Sequence, residues 1–81
     1  MQDYHIYTIS ELELVFKMLH ARTGSSYKTL SYDIFGRSDR YNKRETFTYR
    51  TIVNGIVEAY NTATEYGILK YWPQSVPKPD F

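Results

Sequence analysis

The run over residues 46–72, TFTYRTIVNGIVEAYNTATEYGILKYW, constrains this chain more than any other segment because a long stretch of it obeys a single period. Tyr49, Ile52, Val53, Ile56, Tyr60 and Ala63 recur at spacings of three and four, the interval at which side chains share one helical face. The opposite face, Arg50, Asn54, Glu58, Asn61 and Glu65, is wholly polar. Thr46 or Thr48 supplies the cap, and Gly67 is placed to take the left-handed conformation that stops a helix. Gly55, inside the pattern, costs about 1 kcal/mol relative to alanine, and such a glycine commonly lets another element approach closely. Residues 68–72, aliphatic and aromatic, predict a short strand.

Partners for the apolar stripe precede it. Residues 4–7 read as a short aromatic and β-branched strand, followed by two overlapping capping boxes, Thr8 with Glu11 or Ser10 with Glu13. Ile9, Leu12, Val15, Phe16 and Leu19 then form the buried stripe of a first helix ending at Gly24. A second, shorter helix starts at Ser25 or Ser26, aligns Tyr27, Leu30, Ile34 and Phe35, and stops at Gly36. Residues 36–45, GRSDRYNKRE, have no apolar period and read as a loop. The tail, residues 73–81, contains Pro73, Pro77 and Pro79, which donate no backbone hydrogen bond, and reads as an extended arm with Val76 or Phe81 as its docking point.

A chain of 81 residues forms one domain and hides only about 60% of the surface its unfolded form exposes, so dimerisation would add useful burial. Without cysteine, no disulfide or zinc thiolate supplements that core. No apolar leader and no membrane-length apolar run are apparent, and the expected setting is cytoplasmic. The formal charge of +1 conceals an uneven distribution, since residues 22–50 carry a net +4. That middle third holds the positive potential able to meet phosphate.

The stretch from Tyr49-Arg50-Thr51-Ile52-Val53 to Glu65-Tyr66-Gly67-Ile68-Leu69 resembles the recognition helix and following strand of winged helix-turn-helix proteins, with the two preceding helices in matching order. The resemblance spans residues 8–72 and operates at the level of the superfamily. It implies a mainly α fold with a small β component: a three-helix, winged-helix-like domain over residues 1–72 with a truncated wing, then the extended proline-rich arm over 73–81. The prolines after Trp72 leave little capacity for a returning wing strand, which makes residues 4–7 the expected pairing partner of 68–72. The resemblance further implies that Arg50 and Asn54 face the bases of duplex DNA, where their forks match guanine and adenine edges. Thr48 and Thr51 would touch phosphate or a thymine methyl; Arg37, Arg40, Lys43 and Arg44 would hold the phosphate backbone; and Tyr41 would stack among them. The alternative for Arg50 and Asn54 is a solvated helix face, and for the loop an ordinary mixed-charge surface.

Among the tyrosines, Tyr27, Tyr49 and Tyr60 fit apolar stripes and are expected in the core, whereas Tyr32, Tyr41, Tyr66 and Tyr71 are expected outside. Trp72 reads either as a contact anchor or as a lid over a small core. His5 and His20 sit on different elements without metal-ligand spacing, Ser25 and Ser26 are explained by capping, and no phosphate-cradling glycine loop is present. The expectation is a non-catalytic protein without metal or cofactor. Two functions fit it: a small DNA-binding regulator of transcription or replication, acting as a homodimer, or a protein-binding inhibitor or adaptor of viral or mobile-element kind. The second would dock on its partner through Tyr71, Trp72, Val76 and Phe81.

Overall fold

The computed structural model describes residues 5–79, which form three α-helices, α1 (Ile9–Thr23), α2 (Tyr27–Phe35) and α3 (Tyr49–Glu65), with 3-10 segments at Arg40–Thr46 and Leu69–Tyr71. Each helix starts on a hydroxyl that accepts from a backbone amide three residues on. Thr8 caps α1 in a full capping box with Glu11, Ser26 caps α2 through Thr29 N, and Thr48 caps α3 through Thr51 N. Each such cap removes an orphan donor and contributes about 1 kcal/mol. The boundaries after α1 and α2 are Gly24 and Gly36, both left-handed, with φ of 77° and 78°. After α3, the amide of Gly67 reaches Thr64 O and that of Ile68 reaches Ala63 O, the paired bonds of a Schellman ending.

Phe16 on α1 is the hub of the core. Its ring stacks on Phe35 at 5.9 Å and on Tyr41 at 4.1 Å, and meets Tyr27 in an edge-type contact at 6.2 Å. Leu12, Val15, Leu19, Leu30 and Ile56 are fully buried around it. On α3, Gly55, Ala59 and Ala63 are buried at intervals of four, and this small-residue row lets the other helices come close. A Cβ on Gly55 would stand 2.9 Å from the Phe35 ring and 3.1 Å from a Leu12 methyl, so the close approach expected of this glycine is present.

Four sequence expectations are corrected. No strand forms among the described residues: residues 5–7 are unpaired, Tyr4 lies outside the described residues, and 68–72 wind into the 3-10 turn Leu69–Tyr71. The Schellman ending turns the chain back at Gly67, and without a neighbouring strand to share hydrogen bonds, a local turn satisfies the backbone instead. The expected loop over 36–45 is largely the 3-10 segment Arg40–Thr46, pinned to α2 by Ser31. That fully buried hydroxyl donates to Arg37 O at 2.7 Å and accepts from Tyr41 N at 3.1 Å.

The third correction concerns the tail, which is no extended arm over its described part. Val76 N reaches Pro73 O at 3.1 Å in a tight turn, and Trp72 Nε1 donates to Val76 O at 2.8 Å. Trp72, 6% exposed, packs nearly perpendicular to Tyr60, and Val76, 2% exposed, joins the same core. Tyr7, also buried, donates from its hydroxyl to Pro77 O. The tail thus closes one end of the helical core, and its described part belongs to the same packed unit as the helices. Fourth, the tyrosines trade places: Tyr27 and Tyr49 are exposed, whereas Tyr41 is buried. Among the described residues no helix is long and apolar enough to cross a membrane.

Candidate nucleic-acid interface

The basic segment and the start of α3 are continuous: Arg40–Thr46 leads through Phe47 into the Thr48 cap. The sequence folds locally in this way because Thr48 offers a cap as soon as the 3-10 turn ends. Its hydroxyl accepts from Thr51 N at 3.2 Å and sits 3.1 Å from Thr51 Oγ1, so Thr48 and Thr51 serve the helix end first. Arg50 and Asn54, one turn apart on the same face, are both exposed and have no side-chain hydrogen bond among the described residues. No acidic side chain occupies the first turn of α3, which leaves the positive end of its dipole open.

The cations of the basic segment divide into three kinds. Arg37 and Lys43 are exposed and unpaired among the described residues. Arg40 is half-buried, with its guanidinium 5.6 Å from the Phe47 ring centre. Arg44 is committed to the fold: Nε donates to Glu13 Oε2 at 2.6 Å, Nη1 donates to Tyr41 O, and the guanidinium covers the Tyr41 ring at 4.7 Å. The Glu13 hydrogen bond holds Arg44 above the ordinary arginine pKa. Arg44 therefore positions the segment rather than standing ready for phosphate. Tyr41 is likewise withdrawn, because a ring stacked on Phe16 and 7% exposed has no face left for a base. Burial pushes its hydroxyl up to about 12, against a smaller downward pull from Arg44.

The second half of α3 has the opposite character. Glu58, Asn61 and Glu65 join Asp33 of α2 and Tyr66 along an open cleft of about 740 Å³. Glu11 and Glu13 belong elsewhere, since Glu11 Oε2 meets His5 Nε2 at 2.7 Å and Glu13 meets Arg44. The polar face of α3 is thus split along its length, with Arg50 and Asn54 at the start and carboxylates at the end.

The residues nominated for protein docking are mostly used internally. Trp72 and Val76 are buried, Tyr71 is exposed at its rim but lies beneath the guanidinium of Arg22 at 3.7 Å, and Phe81 lies outside the described residues. His20 Nδ1 sits 2.7 Å from Ser25 O, joining α1 to the start of α2. Sequence reasoning placed Tyr27 in the core and missed its exposure, since the residue is 37% exposed and packs beside Tyr41 of the basic segment. It is the first residue of α2, packed on one side against Phe16 and Tyr41 and left exposed on the other. No protein-family model, no curated protein and no solved structure matches this chain.

Proposed function

We propose that this protein is a non-catalytic DNA-binding domain that presents the first turns of α3 to the major groove. The observation carrying this reading is the split face of α3, where Arg50 and Asn54 are exposed at its start and the carboxylates are confined to its far half. A helix entering end-first brings Arg50 to guanine O6 and N7 or Asn54 to adenine N6 and N7, while Glu58 and Glu65 stay clear of the phosphates. Lying flat along the groove would instead press those acids against the backbone. Arg37 and Lys43 supply phosphate contacts on one side, and Arg40 follows with its charged head. The Glu13–Arg44 pair and the Ser31 clamp hold the basic segment in register with the α3 start. Regulation of transcription or replication is the role such a domain would serve.

Trp72 and Val76 are spent on the core, so the tail offers little to the alternative of docking on a partner protein. Fluorescence anisotropy of labelled random duplex DNA at about 50 and 200 mM salt tests the proposal, because phosphate neutralisation makes affinity fall steeply with salt. Affinity that drops across that range, and drops further in Arg50→Ala, supports it. Absence of binding at the lower salt overturns it.

A further inference from the structure

The exposed ring of Tyr27 stands between two adjoining cavities. One, about 540 Å³, also takes in Leu14, Lys17 and Arg44; the other, about 350 Å³, takes in Lys28, Ser38 and Asp39; Tyr41 and Asn42 border both. The ring is supported from within by His20 at 4.9 Å, Tyr41 at 5.6 Å and Phe16 at 6.2 Å, so it is a rigid shelf rather than a loose side chain. Lys17 and Lys28 flank it, exposed and outside the ion pairs formed among the described residues. Glu13 is neutralised by Arg44, leaving Asp39 as the remaining acid on the lining.

We infer that this groove binds an unpaired segment of single-stranded DNA, with a base stacked on Tyr27 and the flanking phosphates held by Lys17 and Lys28. A fixed aromatic face between cations is the arrangement by which single strands are held without regard to sequence, since every base offers a π-face and the backbone supplies regular charge. An unpaired base fits because its face is free, whereas bases in a duplex are stacked on one another and cannot reach the shelf. Asn42, bordering both cavities, offers a donor and an acceptor to the base edge. The inference rests on the nucleic-acid reading above and extends it from the duplex face of α3 to a second surface bordered by Tyr41 and Asn42 of the basic segment.

The test uses the full chain and a fluorescein-labelled oligothymidylate of about ten nucleotides, a length within the range a small single-strand site occupies. Tyr27→Ala should weaken single-strand binding about tenfold or more, with duplex binding unchanged and the helical circular dichroism preserved. Tyr27→Trp should retain binding and show quenching of the new indole by the bases, over the constant emission of the buried Trp72. Wild-type affinity in Tyr27→Ala, or unchanged emission from Tyr27→Trp at saturation, overturns the inference. The two readings fail separately. Loss of duplex binding with a Tyr27-dependent single-strand signal would remove the α3 proposal alone, and duplex binding with a Tyr27-independent single-strand signal would remove this one.

Discussion

Two segments that look equally irregular, the basic stretch around 40–46 and the tail around 69–76, are folded by the same device and left with different surfaces. Each winds a 3-10 turn and drives one large aromatic inward, Tyr41 against Phe16 and Trp72 against Tyr60. Each secures it with a buried hydrogen bond, Tyr41 N donating to Ser31 Oγ in the first and Trp72 Nε1 donating to Val76 O in the second. They differ in what remains outside. The basic stretch leaves Lys43, with Arg37 shortly before it, in solvent, while the tail leaves one exposed cation, Lys70, beside the Tyr71 ring and devotes Trp72 and Val76 to closing the core. A segment without periodicity can therefore be a fixed structural part, and the charge outside its anchor then decides whether it also presents a binding surface.

The comparison breaks most readily at the tail. Trp72→Ala should cost about 3–5 kcal/mol of stability, the range for truncating a buried aromatic, read from the urea midpoint. A loss under about 1 kcal/mol would mean that Trp72 is a surface residue and the tail an arm after all. Ser31→Ala should cost about 1–3 kcal/mol, because Tyr41 N would be left buried without an acceptor. If that variant matched the wild type, the clamp would not hold the basic segment.

Titration sharpens the same contrast. Burial holds the Tyr41 hydroxyl at about 12 rather than 10, so between those values the unfolded chain has released a proton that the folded chain keeps. Stability is full below pH 10 and falls as the pH rises towards 12; Tyr41→Phe should flatten that fall in chemical denaturation series. Tyr7 is also raised, chiefly by burial, and retains a share of the slope in that variant. An identical alkaline profile in Tyr41→Phe would contradict the placement of the ring. The smallest effect on stability belongs to Arg37→Ala with Lys43→Ala, within about 0.5 kcal/mol for each exposed site. Their effect on duplex affinity should be much larger, with the logarithmic salt slope reduced by about one for each phosphate that is no longer neutralised. A stability loss comparable to that of Ser31→Ala would assign these cations to the fold instead.

The helices were legible because their signals are local. The Thr8 and Glu11 box, the stops at Gly24 and Gly36, and the spacing of Leu12, Val15, Phe16 and Leu19 each operate within a turn or two of chain, and each stands where the sequence places it. Choosing among Thr46 and Thr48, or Ser25 and Ser26, required knowing where neighbouring segments end. The polar face of α3 was also readable from spacing, but its meeting with Asp33 of α2 was not, since that cleft joins residues of two helices.

The sequence by itself determined three amphipathic helices, a pair of candidate caps for each, a glycine in α3 suited to a close approach, and the excess of cations in the middle of the chain. Only the tertiary structure decided which tyrosine is core and which is shelf, that Arg44 spends its charge on Glu13, and that residues 68–76 form a lid instead of a strand and an arm. The physical reason is range. Capping and periodicity are set by backbone hydrogen bonds a few residues apart, whereas burial of a single aromatic in a non-repeating segment depends on a cavity assembled by helices elsewhere in the chain.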